Sequence, residues 1–207
     1  GIDASGLELR MLAHELNDEG YTNEILNGDI HTTNQRLAEI ESRDQAKTFI
    51  YALLYGAGDA KLGSVVGRGR AVGKGLRQRF FDNLPAFKKL TDRVQREAKS
   101  GFIKALDGRR LTVRSEHAAL NTLLQGAGAI VMKKALIILD DKITKHGWDA
   151  KFVANVHDEW QIECHVDDAV AVGEAGVHAI REAGCMFNLN CPLDGAYKVG
   201  ENWSETH

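Results

Sequence analysis

Residues 42–58, SRDQAKTFIYALLYGAG, decide how the rest of the chain is read. Ser42 stands where a helix N-cap belongs, because its hydroxyl can accept from a free N–H of the first turn. Gly56 and Gly58 mark the far end, where a left-handed residue closes a helix at little steric cost. Between them Arg43, Lys47, Tyr51 and Tyr55 recur at every fourth position. At about 100° per residue, a step of four turns the stripe by only about 40°, so the four share one slowly turning face. Phe49, Ile50, Leu53 and Leu54 fall on the other faces. Two cations followed by two phenols suit a triphosphate with a sugar or base packed beyond it. The same stripe is also that of an amphipathic helix with a polar outer face.

On the N-terminal side, residues 29–40 read as a helix, and so do residues 6–16, with Leu7, Met11 and Leu12 at helical spacing behind Ser5. Residues 1–3 look like the end of a strand. On the C-terminal side, glycines at 63, 67, 69, 73 and 75 break up the chain. A basic helix starts near Pro85 and runs to about residue 99. Residues 102–113 form a hairpin turning at Asp107–Gly108, and a long helix spans 118–145, stopping at His146–Gly147. Strands KFVANV (151–156) and WQIECHV (160–166) flank His157-Asp158-Glu159; a helix at 168–183 and a strand within 193–199 complete the chain. Strands near both ends with helices between them give an α+β class. No repeat or low-complexity segment occurs.

Composition narrows the function classes. The chain is 43% apolar and 27% charged, which is globular rather than disordered. Its three cysteines are an odd number without a CxxC pair, which argues against a disulfide scaffold or a thiolate zinc site and for a reducing compartment, the cytoplasm. The most apolar stretch, 118–139, is interrupted by Asn121, Gln125, Lys133 and Lys134, so no membrane span is expected. The net charge of −3 hides an asymmetry: residues 61–114 hold 15 Lys and Arg against 4 acids, a surplus of 11, which leaves −14 elsewhere. Such a block suits a polyanion, or equally a solvated helix face.

Asp158 and Glu159 are adjacent carboxylates at a tight turn, an arrangement relieved by solvent at an exposed tip or by a cation. Asp3 ends another strand. If the two strands are neighbours, Asp3 and Asp158 can share hard divalent ions such as Mg²⁺, which takes its remaining ligands from water and phosphate.

DASGLELRMLAH (3–14), RDQAKTFIYALLYGAG (43–58) and VHDE (156–159) together resemble the ordered motif series of the family A DNA polymerases. The likeness is greatest to the replicative enzymes of short-tailed, T-odd type phages. GDIHTTNQ (28–35), LDGRR (106–110) and HAALNTLLQGAGA (117–129) extend it over nearly the whole chain. Three separated motifs in order make a far more specific signal than any one alone.

The resemblance implies a polymerase palm, an antiparallel sheet with packed helices, carrying helical fingers. Palm would be 1–28 and 116–207, and fingers 29–115 with a return hairpin. It implies two Mg²⁺ ions held by Asp3, Asp158 and the carbonyl of Ala4, with Glu159 and Lys47 among the catalytic residues. Arg43, Lys47 and His31 would meet the triphosphate, and Glu8, hydrogen-bonded to Tyr55, would close off the 2′ side of the sugar. Tyr51 would govern tolerance of sugars lacking a 3′-hydroxyl, and Tyr55 completes the nucleotide face. Asn121, Gln125, His157, Arg109 and Arg110 would touch DNA. The implied partners are primer-template DNA and dNTPs in viral DNA replication, with no membrane.

The chain departs from the family in lacking the thumb and the 3′–5′ exonuclease, which lie upstream of the first motif. A separate upstream polypeptide supplying them, or a processivity factor, are further implied partners. Residues 96–102 are shorter than in the nearest relatives, and GENWSETH looks like a near-natural C-terminus. Fragment, split-polymerase subunit and truncated frame are the readings of such a piece. The enzymatic rival is a single-subunit phage RNA polymerase, against which Glu8 and the Tyr51 region argue; the rival of another class is a non-catalytic DNA-binding fragment. VGRGRAVGKG (66–75) fails the G-x4-GK phosphate-loop spacing and reads as a flexible fingers linker.

Overall fold

The computed structural model describes residues 1–207. In chain order the elements are β1 (Ile2–Ala4), α1 (Leu7–Leu16), α2 (Glu19–Asn27), α3 (Ile30–Ala38), α4 (Arg43–Leu54), α5 (Asp59–Val65), α6 (Arg70–Asn83), α7 (Pro85–Ala98), β2 (Phe102–Lys104), β3 (Arg110–Thr112), α8 (Ala119–His146), β4 (Ala150–Val156), β5 (Glu159–Cys164), α9 (Ala169–Met186), β6 (Gly195–Tyr197) and α10 (Trp203–Thr206). This is an α+β chain, helix-rich with small antiparallel sheets. Its contacts form two compact units, one of Gly1–Met11 with Gly126–His207, the other of Leu12–Gln125. The chain passes between them inside α1 and α8. No loop or change of composition therefore marks the passage.

The first unit is built on a four-stranded sheet in the order β4-β5-β1-β6. Three-residue β1, from the start of the chain, lies between β5 and β6, antiparallel to both. Sequence-distant carboxylates thereby become neighbours. Helix α9 covers this sheet through small residues: a Cβ on Gly173 would lie 2.3 Å from the Tyr197 ring, and one on Gly176 would lie 2.4 Å from Ile2. Trp160 is fully buried and meets Phe152 edge-on at 6.3 Å. Helix α8 corrects one expectation. By length and composition it qualifies as a membrane span, with mean hydropathy 1.5 over its most apolar window. Half of that window is buried in the protein, the pattern of a core helix.

The second unit packs α2 to α7 and the β2–β3 hairpin around Phe49, Phe80 and Phe87, whose rings meet edge-on at 5.8 and 5.2 Å. The stretch 66–75, expected to be a flexible linker, is one only over residues 66–69; from Arg70 it is the start of α6, which packs on α5. Gly63 and Gly73 sit where the two backbones touch. A Cβ on Gly63 would fall 2.1 Å from the Gly69 carbonyl oxygen, and one on Gly73 would fall 1.8 Å from that of Asp59. Gly75 faces only the flexible end of Arg79. Gly73→Ala is therefore expected to destabilise the chain by about 3 kcal/mol or more, since backbone cannot step aside as a side chain can. Gly75→Ala is expected to stabilise it by about 0.5–1 kcal/mol through helix propensity. Denaturant unfolding of the two variants measures both, and equal effects would remove the close-approach account.

Candidate functional site

The carboxylate site belongs to the first unit. Antiparallel pairing sets Asp3 opposite Glu159, and the backbone N–H of Ala4 donates to the Asp158 carbonyl at 3.0 Å. Asp158 therefore follows His157 in a two-residue turn between β4 and β5, beside the end of β1. His157 holds the turn with φ at +56°, the left-handed conformation that a two-residue hairpin turn demands and that favours glycine. Asp3 is exposed, Asp158 half-buried and Glu159 buried. Desolvation, then the charges of Asp158 and Glu159, push the Asp3 carboxyl above its usual range. Glu8, in the first turn of α1, is half-buried with Oε1 buried and without a hydrogen-bond partner. Burial, then Asp158, raise its carboxyl as well.

Mutually repelling carboxylates with an unpartnered oxygen nearby are what a hard cation would relieve. No group of three His, Cys, Asp or Glu closes into a metal cage. The donors present, two carboxylates and the Ala4 carbonyl, fit an ion that takes its other ligands from water and substrate. Glu159, expected among the catalytic carboxylates, has both oxygens engaged by other side chains. Its Oε1 accepts from Gln161 and from the Trp203 indole at 3.1 Å, and its Oε2 lies 2.6 Å from His207 Nδ1.

The second unit carries the cationic and phenolic face. Ser42 caps α4 as its position suggests, Oγ accepting from Gln45 N at 3.2 Å. Phe49, Ile50, Leu53 and Leu54 are buried, while Arg43, Lys47 and Tyr55 are exposed and Tyr51 half-buried. The stripe is thus the outward face of α4. Asp29 organises its start: Oδ1 caps α3 by accepting from His31 N at 3.1 Å, and the carboxylate takes two guanidinium bonds from Arg43 at 2.6 and 3.1 Å. His31 has a buried, unpartnered Nδ1 and its ring lies 6.3 Å from that of Tyr51. Burial, then the charges of Arg43 and Lys47, lower its pKa, which keeps the imidazole neutral at neutral pH. Gln125 Nε2 donates to the Tyr55 hydroxyl at 3.1 Å, and Asn121, one turn earlier on α8, keeps Oδ1 buried and unpartnered.

Arg109 and Arg110 sit on the β2–β3 hairpin. Asp107 accepts from Arg109 Nε at 2.7 Å, and Arg110 lies 4.4 Å above the Phe102 ring. Part of the basic block is spent inside the unit, in ion pairs Arg77–Asp59, Arg79–Glu39, Lys88–Asp92 and Arg93–Glu15. Sequence reasoning did not single out Asp29, Gln161, Trp203 or His207. Asp29 carries a helix-start signal, an Asp ahead of a helical run, but nothing in spacing announces its bond to Arg43. Gln161 stands two residues on along β5, on the same face as Glu159, while Trp203 and His207 reach it only through tertiary placement.

The profile of DNA polymerase family A matches residues 1–205. The chain is 48% identical over its whole length to the DNA-directed DNA polymerase of Enterobacteria phage T3, and 48% to that of Escherichia phage T7, covering 33% of each. It thus spans about a third of the length of these relatives. Among solved structures, the POL domain of Pol1 from M. smegmatis, in complex with DNA primer-template and dNTP, superposes with a TM-score of 0.87 at 24% identity, over 99% of this chain and 40% of that one.

Proposed function

The chain belongs to DNA polymerase family A, and on that premise we propose that it is the nucleotide-adding portion of a DNA-directed DNA polymerase that extends a primer 3′-end with dNTPs in viral DNA replication, in the host cytoplasm. The observation that carries this reading is the sheet register, which sets Asp3 beside the turn holding Asp158 although the two come from opposite ends of the sequence. In this reading the first unit lies wholly within the palm, and the second holds the fingers, 29–115, together with palm residues 12–28 and 116–125.

Asp3, Asp158 and the Ala4 carbonyl would hold two Mg²⁺ ions, which when bound supply charge that activates the primer 3′-hydroxyl and stabilises the departing pyrophosphate. Arg43 and Lys47 bind the triphosphate, Arg43 with its plane already fixed by Asp29 and N–H groups left over for phosphate. Neutral His31 can donate to a phosphate oxygen without adding charge. Tyr51 and Tyr55 pack on sugar and base, and Glu8 fills the space a 2′-hydroxyl needs. Gln125 and Asn121 read the minor groove side of the primer-template, His157 lies toward the primer end, and Arg109 and Arg110 hold the DNA backbone. A separate upstream thumb and exonuclease polypeptide, or a processivity factor, belongs to the same proposal.

Primer extension tests it, with the chain alone and together with an upstream polypeptide of the family, supplied with dNTPs or NTPs. Template-directed extension that prefers dNTPs supports the reading. Preference for NTPs points to an RNA polymerase, and a gel shift of primer-template without extension in either setting leaves a DNA-binding piece only.

Tyr51→Phe is expected to leave dNTP use near wild type while dideoxynucleotide incorporation falls roughly tenfold, since one hydrogen-bonding oxygen is worth about 1–3 kcal/mol. The phenol would occupy the place a missing 3′-hydroxyl leaves open. Competing dideoxy- and deoxynucleotides in one reaction measure it, and equal termination in both proteins would show that Tyr51 only packs.

A further inference from the structure

Glu159 is the carboxylate at the β1–β5 junction that the mechanism above does not use. Residues paired directly across an antiparallel ladder project from the same face, so Glu159 would by default set its charge beside that of Asp3. It is instead 7% exposed and fully engaged. Trp203 donates its indole N–H to Oε1 at 3.1 Å, and His207 Nδ1 lies 2.6 Å from Oε2. Gln161, which donates to Oε1, is itself fixed by the Thr206 hydroxyl, donating to its Oε1 at 2.8 Å.

The segment that supplies these groups is internally braced. Glu205 accepts from Glu201 N at 2.9 Å and from Asn202 Nδ2 at 2.7 Å, and Lys198 Nζ donates to the His207 carbonyl at 2.8 Å. Residues 201–207 thus form a hook whose inward side chains end on Glu159 and Gln161. Trp203 is nonetheless 48% exposed, so core packing does not account for its place.

We infer that Trp203, Thr206 and His207 are positioning residues of the carboxylate site, keeping both oxygens of Glu159 occupied and so out of the ligand shell of the ions that Asp3 and Asp158 would hold. The inference rests on the reading of Asp3 and Asp158 as ligands of divalent ions. Two carboxylates leave ligand positions open for a triphosphate and a primer hydroxyl, whereas a third would fill one of them and tighten the ion in the absence of substrate. Freeing Glu159 should therefore raise affinity for the bare ion and lower turnover together.

The test is Mn²⁺ binding by the full chain, followed through the electron paramagnetic resonance signal of the free ion. Wild type is compared with Trp203→Phe, His207→Gln and the double variant, each also in a Glu159→Gln background. The double variant is expected to bind Mn²⁺ at least threefold more tightly than wild type, and Glu159→Gln is expected to erase the gain. Unchanged affinity, or a gain that persists without Glu159, overturns the hook. Each single variant keeps the comparison open should the double fail to fold. Asp3→Asn tests the premise separately: wild-type binding that this change leaves intact, or no binding at all, overturns the metal reading itself.

Discussion

Asp3→Ala and Asp158→Ala are each expected to reduce template-directed primer extension by on the order of a thousandfold, about 4 kcal/mol of barrier, while leaving the fold in place. Each change removes one of the two carboxylates to which the proposal assigns the ions, and the neighbouring Glu159 has its oxygens engaged elsewhere. Stability should move the other way. Desolvation first, then Asp158 and Glu159, raise the Asp3 carboxyl in the folded chain, so ionisation at neutral pH works against folding. The folded state takes up a proton more readily than the unfolded one. Stability therefore rises as pH falls through the raised folded-state value, and the gain is complete below the ordinary value of 3.8. Asp3→Asn should accordingly melt no lower than wild type, and higher near neutrality, with the difference closing by about pH 4. Primer extension and melting curves, run side by side with Mg²⁺ as the sole metal in the first, check both halves. Near-normal turnover in either Ala variant would remove the carboxylates from the mechanism, and a steep loss of melting temperature would recast them as structural.

The face of α4 was legible because a local period writes it: Arg43, Lys47, Tyr51 and Tyr55 at steps of four need only a helix, and the helix carries its own cap in Ser42. The meeting of Asp3 with Asp158 is a matter of sheet register between the first residues and the last third of the chain, and no spacing encodes it. It could be named beforehand only through the motif series. The start of α6 at residues 70–75 reads as linker because glycine is penalised as a helix former, whereas here Gly63 and Gly73 are where one backbone meets another. Propensity yielded to packing. The Glu159 hook was invisible for a third reason: α10 spans four residues, too few to show a period.

Glu8→Ala should collapse the preference for deoxyribose over ribose by roughly a hundredfold or more, because a filled space beside the sugar is what rejects the extra hydroxyl. The structure gives this side chain the marks of a residue kept for function rather than for stability. It stands in the first turn of α1, half-buried, with Oε1 buried and no hydrogen bond to offset the loss of water. Burial, and then the charge of Asp158, already hold its carboxyl above the usual range. A carboxylate so placed costs the fold, and truncating it should not lower the melting temperature. Volume and charge can be told apart. Glu8→Gln keeps the bulk and drops the charge, so it should retain most of the discrimination that Glu8→Ala loses. Measuring kcat/KM for a dNTP and its ribonucleotide in the three proteins decides the matter. If glutamine relaxes selection as far as alanine does, repulsion by the charge is the gate and bulk is not. If neither variant changes the ratio, Glu8 takes no part in reading the sugar.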